Sequence, residues 1–253
     1  MEVTGRIVTA SNATLYCDIE TDGLKAACVY KPVRGERPLW DFPDGTLAGR
    51  EFASYLVAQA FAATDDSAPL VPPTVLRDGP FGTGMVQLWI ETDEQTEIVD
   101  VCSPREVPEG WLVVLRARDS VGDPAVLAHA DCDELQRMAA LDVLLNNADR
   151  KAGHLLVSTD KQLYGVDHGI CMHEENKLRT VLWGWVGRKL PGELRDAVRG
   201  MRRQLDNGLA AQLSGHLTRR EVRALSDRVD NLLDHPRFPE PSGYGPSIPW
   251  PAF

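Results

Sequence analysis

Between residues 3 and 33 apolar and polar positions alternate: Val3, Ile7 and Val8, then Leu15, Cys17 and Ile19, then Ala27 and Val29 ending on Lys31. Period-two alternation buries one face of a strand. The turn-formers Ser11-Asn12 and Thr21-Asp22-Gly23 between the sets therefore predict three antiparallel strands. The Gly- and Pro-rich stretch RGERPLWDFPDG reads as loop. From about Leu47 to Ala63 the period lengthens to that of a helix, with Phe52, Leu56, Ala60 and Phe61 near one face and Glu51 in its first turns. Pro69 to Pro73 breaks the chain. Val75-Leu76 and the run Gly84 to Ile90 then add two strands, giving a five-stranded sheet with one inserted helix over residues 1–91.

The segment Glu91-Thr92-Asp93-Glu94-Gln95 is abruptly acidic and reads as a crossover. Between 92 and 128 the pattern is weak: Asp100 to Pro108 and Ser120 to Pro124 look like loops around an apolar Trp111–Leu115 that fits strand or helix. From Asp131 a helix is predicted. Asp131 and Glu134 supply a capping arrangement, and Leu135, Met138, Leu141 or Asp142, and Leu145 follow at helical spacing. Two more helices are predicted at Pro191–Asn207 and Thr218–Leu233, the second behind a Thr218/Glu221 capping box. Residues 236–253, rich in Pro and Gly, form a tail that is either mobile or strapped down by Trp250 and Phe253.

Composition narrows the class. A chain of 253 residues with 43% hydrophobic content can bury a sizeable core, as one large domain or two lobes sharing a cleft. Its 37 acidic and 27 basic residues give a net charge of -10, which provides no general attraction for nucleic acid or anionic lipid. No basic start precedes an apolar core, and no apolar run is long enough to cross a bilayer. A soluble, cytoplasmic protein without stable membrane association is the expectation. Five widely spaced cysteines without a CxxC pair point to reduced, buried thiols.

The chemistry concentrates in residues 141–173. The predicted helix runs into a polar loop, Asn146 to His154, then two short apolar runs around a turn, then Val166-Asp167-His168-Gly169. A hairpin can hold its flanking loops close together, so Asp149 and Asp167 are placed to share one cleft as base and metal ligand. Each residue also has a local explanation. Asp149 can cap a loop, Asp167-His168-Gly169 can be a strand-end turn, Lys31 a solvated edge lysine, and Glu51 a partner of its helix dipole. His168-x2-Cys171-x-His173 with His154 is a further, looser candidate for a metal cluster.

Lys31 on a third strand, Glu51 on the next helix, NADRKAGHLL and then YGVDHG together resemble the protein-kinase-like fold. Within it they look most like bacterial phosphatidylinositol 3/4-kinase-like and HipA-like kinases. The resemblance implies an α+β, two-lobe architecture: a small antiparallel lobe with one helix (1–91), a mainly helical large lobe (92–235) and the tail. It implies an ATP-dependent phosphotransferase using Mg²⁺ or Mn²⁺ and an unidentified acceptor. Lys31 would bind nucleotide phosphates and pair with Glu51, Asp149 would orient or deprotonate the acceptor, and Asp167 would hold the metal. Arg150 or Lys151 would neutralise transferred charge, peptide groups near Glu91 would meet adenine, and Ser11, Asn12 and Thr14 would cover the phosphates.

Two positions depart from that pattern. His154 stands where kinases usually carry a metal-binding asparagine, which favours a metal that accepts nitrogen, such as Mn²⁺, or an impaired site. His168 replaces the usual aromatic residue after the metal aspartate. The acidic charge and short chain favour a protein or small-molecule acceptor over a lipid. The alternative is a pseudokinase, a nucleotide-binding or scaffolding module without turnover.

Overall fold

A computed structural model describes residues 1–7, 12–63, 67–243 and 245–253. The fold is α+β with antiparallel sheets. Strands β1 (Glu2–Arg6), β2 (Leu15–Thr21), β3 (Leu24–Pro32), β4 (Thr74–Gly79) and β5 (Gly82–Leu88) form one sheet in the order β1-β2-β3-β5-β4. The hairpin β2–β3 turns at Asp22-Gly23, both at positive φ, as the sequence requires. Pairing of Lys31 with Met85 and of Val29 with Gln87 fixes the register that aims Lys31, Val29 and Gln87 to the same face. On the opposite face Leu15, Cys17, Cys28, Tyr30 and Val86 make a small separate core.

Helix α1 (Leu47–Ala62) crosses between this sheet and the helical part. Its buried positions include Arg50, Glu51, Ala53, Ser54, Val57, Ala58, Phe61 and Ala62, whereas Phe52, Leu56 and Ala60 are half-buried. The expected apolar face is thus rotated. The helix is enclosed on several sides, and its buried Arg50 and Glu51 are each paired with an opposite charge, so apolarity does not mark its inner face. Ala53, Val57 and Phe61 join the large core with Leu141, Leu144, Val198 and Leu225, so one hydrophobic cluster passes through α1 into the helical part.

Residues 92–130 hold a second sheet where the sequence showed little regular pattern: β6 (Val99–Cys102), β7 (Trp111–Arg118) and β8 (Pro124–Ala130), ordered β6-β8-β7. Strand β8 is central and almost wholly buried, so it carries no alternation to read. Helix α2 (Asp133–Leu145) follows, with Cys132 rather than Asp131 at its N-cap and no side-chain cap. Asp131 instead accepts hydrogen bonds from Trp185 Nε1 (2.7 Å) and Arg188 Nη1 (3.1 Å). Asn146 ends α2 in the left-handed conformation, at φ 51°. Its amide anchors the following loop by donating to the carbonyls of His173 (3.0 Å) and Glu175 (2.6 Å).

Beyond the hairpin β9 (Leu155–Val157) and β10 (Leu163–Gly165) come α3 (Gly192–Gln204), a short α4 (Ala210–Leu213) and α5 (Arg219–Asp234). The Thr218/Glu221 capping box of α5 forms as expected. The tail is strapped to the body by its backbone and by Phe238, buried in the core beside Trp185. The Ser247 carbonyl accepts from Thr180 N (3.1 Å) and Trp183 Nε1 (2.8 Å), and the Ala252 carbonyl accepts from Ala152 N (2.8 Å). Trp250 and Phe253 stand exposed. Among the described residues no helix is long and apolar enough to cross a membrane.

Candidate functional site

A cavity of about 390 Å³ lies against the Lys31 face of the five-stranded sheet. Val29, Leu88, Trp89, Ile90, Leu156 and Val166 give it largely apolar walls, while Lys31, Glu36, Glu51, His154 and Asp167 carry its ionisable groups. Lys31 Nζ donates to Glu51 Oε1 (2.5 Å) and Asp167 Oδ1 (2.8 Å), joining residues 20 and 136 positions apart. Burial works against the ammonium charge. The two carboxylates more than offset it and hold the Lys31 pKa above its ordinary value. Asp167 is driven well below the usual carboxylate range, chiefly by Lys31.

His154 Nε2 lies 3.5 Å from Asp167 Oδ2. Burial lowers its pKa to about 4, so at neutral pH the imidazole is uncharged and keeps a lone pair. One imidazole nitrogen and one carboxylate at one cavity are a fitting donor pair for Mn²⁺, or less well for Mg²⁺. Among the described residues no group of three His, Cys, Asp or Glu side chains is placed to hold a metal. Further ligands would then come from water or a bound phosphate. The looser His168/Cys171/His173 cluster does not assemble. His168 Nε2 is occupied by Arg150, the Cys171 thiol is fully buried, and His173 Nδ1 accepts from Glu175 N.

Arg150 does not reach the cavity, contrary to the expectation that it meets a transferred group. Its side chain is fully buried. Nε and Nη2 fork onto Asp142, Nη1 donates to the carbonyls of His154 and Val166 (both 3.2 Å), and Nη2 also donates to His168 Nε2 (2.7 Å). The planar guanidinium thus fixes the Val166 and His154 carbonyls and the His168 ring, gripping the residues on either side of Asp167. A guanidinium can only donate, so His168 Nε2 accepts; burial and the Arg150 charge keep that ring neutral. Gly165 leaves the necessary room, since a Cβ there would lie 2.9 Å from Arg150 Nη2.

Asp167 itself adopts φ 60°, which costs on the order of 1 kcal/mol for an L-residue. Its neighbours hold it there. Val166 N donates to the His154 carbonyl (2.9 Å) and His168 N to Glu51 Oε2 (3.4 Å). Asp149 is partly buried and pairs with Lys151 (3.3 Å); neither lines the cavity. Burial raises the Asp149 pKa, Lys151 opposes that, and the Asp167 charge adds to it.

Of the remaining expected residues, Thr14 and Asn12 line the cavity. Asn12 Oδ1 accepts from Arg37 N (2.9 Å), and the Thr14 hydroxyl donates to the Asn12 carbonyl (3.3 Å). Ser11 lies outside the described residues. The Glu91 side chain is exposed and its carbonyl accepts from Thr159 N (3.1 Å), while Ile90 and Thr92 on either side face the cavity. No backbone hydrogen bond joins Ile90 to another described residue.

Two contributors escaped sequence reading. Asp142 is the buried partner of Arg150, and a carboxylate on the core face of α2 is the signal that could have found it. Glu36 lines the cavity and caps α1, accepting from Leu47 N (2.9 Å) and Ala48 N (2.8 Å) alongside Thr46 Oγ1 on Gly49 N. Nothing in its Gly/Pro-rich surroundings marks it.

No family model matches the chain. It is similar to Phosphatidylinositol 4-kinase gamma 4 of Oryza sativa subsp. japonica over 54 residues, at 43% identity, covering 20% of this chain and 10% of that protein. It is similar along its whole length to Protein Rv2133c of Mycobacterium tuberculosis (strain ATCC 25618 / H37Rv), with 51% identity over 263 residues, 100% of this chain and 92% of that protein. Identity at that level over that span places this chain in the same family as Protein Rv2133c.

Proposed function

We propose that the chain is an ATP-dependent phosphotransferase of atypical kinase type. On this reading residues 1–91 are the small lobe and 92–235 the large lobe of a kinase-like fold. The observation that carries the proposal is Lys31 held between Glu51 and Asp167 at an apolar cavity. A cation committed to two carboxylates from distant parts of the chain is an arrangement suited to phosphate, with the third N–H of the ammonium left to donate. The unpaired peptide of Ile90 beside Trp89 suits the edge and face of a base. The short similarity to a protein named as a phosphatidylinositol kinase supports the same reading.

In this assignment Lys31 binds phosphate oxygens, Glu51 positions Lys31, and Asp149 orients or deprotonates the acceptor. Asp167 and neutral His154 would hold Mn²⁺ or Mg²⁺, which when bound neutralises charge on the phosphates. The net charge of -10 favours a protein or small-molecule acceptor over a membrane lipid. The second reading, a nucleotide-binding module without turnover, is favoured by His154 at its position and by an Asp149 that does not line the cavity.

Thermal unfolding with ATP plus Mg²⁺ or Mn²⁺, in the natural protein and in Asp167→Asn, tests the proposal. Ligand at a hundred times its dissociation constant adds ~2.7 kcal/mol, or about 5 to 10 °C for a chain of this size. The expected result is a metal-dependent shift, larger with Mn²⁺, that disappears in Asp167→Asn. No shift with either metal removes the kinase reading in favour of a scaffold. A shift without turnover on any acceptor favours the second reading.

A further inference from the structure

Gln87 is a polar side chain in an otherwise apolar part of the cavity wall, 5% exposed. The strand register sets it in a cross-strand row, opposite Thr74 on one side and Val29 on the other. Val29 and Gln87 line the cavity, and Thr74, 1% exposed, does not.

The orientation of the Gln87 amide follows from a chain of two hydrogen bonds. The Pro72 carbonyl can only accept, so the Thr74 hydroxyl gives it its single proton (2.7 Å). Thr74 Oγ1 then has only lone pairs to offer Gln87, which must present Nε2 to it (2.9 Å). With the nitrogen committed to the Thr74 side, the carbonyl oxygen is what the amide offers toward Val29 and the cavity. Among the described residues Oε1 accepts no hydrogen bond.

An oriented, buried acceptor distinguishes ligands by what they place against it. A purine with a 6-amino group brings an N–H donor. A 6-oxopurine brings a second acceptor and leaves both oxygens desolvated and unpaired, the arrangement that discriminates most strongly in a closed site. We propose that Gln87, locked by Thr74, is the residue that selects a 6-aminopurine nucleotide over a 6-oxopurine one. The assignment rests on the nucleotide reading of the cavity.

Binding of ATP and of ITP, each with Mn²⁺, measured by titration calorimetry, tests it. The two nucleotides differ at purine position 6 and its adjoining N1 proton. The natural protein is expected to bind ATP at least about tenfold tighter than ITP. Thr74→Val keeps the shape of the side chain but frees the amide to turn, so the ratio should fall to roughly threefold or less, mainly through tighter ITP binding. Gln87→Met should bring the ratio near one through weaker ATP binding, and it serves as the test should Thr74→Val fail to fold. Equal affinities in the natural protein leave the nucleotide site standing and overturn the role of Gln87, as does a natural ratio retained in both variants. Binding of neither nucleotide removes the reading of the cavity and this assignment with it.

Discussion

Two cations flank the Val166–Gly169 segment, and their surroundings differ in one decisive respect. Lys31 touches Asp167 directly from the cavity side, with its side chain 20% exposed and one of its three donors uncommitted to carboxylate. Arg150 approaches from the core side, fully buried, and touches the neighbours of Asp167 instead: the Val166 carbonyl and the His168 ring. Both are basic residues near a carboxylate, and the family resemblance implied that Lys31 binds nucleotide phosphates and that Arg150 or Lys151 neutralises transferred charge. The structure separates them by saturation. A cation whose donors are all spent inside the protein organises the site, and one with a donor facing a cavity is available to a ligand.

The largest effect that would sharpen this contrast is expected from Arg150→Met. It leaves the buried Asp142 carboxylate without its cation, only Asn147 Nδ2 still donating to it (2.9 Å), and strips the His154 and Val166 carbonyls of a donor. Removing one member of a buried pair costs about 3–5 kcal/mol, readable as a fall in the urea midpoint with unchanged slope. A loss below about 1 kcal/mol, the range of exposed ion pairs, would mean that Arg150 is not the organiser described here.

Next in size is the response to acid. Burial holds His154 neutral down to about pH 4, against an ordinary value of 6.5. A base with a depressed folded-state pKa contributes stability that is fully present above 6.5 and is lost as pH falls toward 4, because the unfolded chain takes up the proton first. Between pH 7.5 and 5 the loss from this one group is about 2 kcal/mol. His168 and His129, also kept neutral by burial, act in the same direction. Unfolding free energies of natural protein and His154→Asn at the two pH values isolate its share. The variant should lose less stability on acidification, and identical slopes would show the ring to be solvated.

How much of this was legible beforehand differs between the same two clusters. Lys31, Glu51, Asp167 and His154 could be placed because each sits beside a punctuating element, a strand end, a helix start or a turn glycine, and those elements announce themselves locally. Strands β2 and β3 were readable because their burial alternates, whereas α2, buried nearly all round from Met138 to Leu145, was readable from its apolar spacing and its polar end at Asn146-Asn147. Arg150 was seen but its buried pairing with Asp142 was not, because whether a guanidinium faces a cavity or a carboxylate eight residues back depends on packing that no local pattern carries. The sheet β6-β8-β7 was missed since its central strand is buried on both faces, and the inner face of α1 was misjudged because Arg50 and Glu51 are buried there through pairing. Arg50 meets Glu221 at 2.5 Å, 171 residues away.

The smallest expected effect on stability is at Lys151, and it separates folding from chemistry most cleanly. Its ion pair with Asp149 is partly exposed at 3.3 Å, so Lys151→Ala should cost no more than about 1 kcal/mol. The ammonium nevertheless opposes the burial that raises the Asp149 pKa, and its removal lets that pKa climb further. If Asp149 is the base proposed above, ionised for turnover, the acidic limb of the pH–rate profile moves to higher pH in Lys151→Ala, while activity on the alkaline plateau is largely retained. Lys151→Arg keeps the charge and should restore the natural limb. A limb that stays in place in both variants would assign the titration to another group and leave Asp149 as a loop residue. A collapse of activity at every pH would place Lys151 itself, as proposed for Lys31, among the cations that meet the ligand.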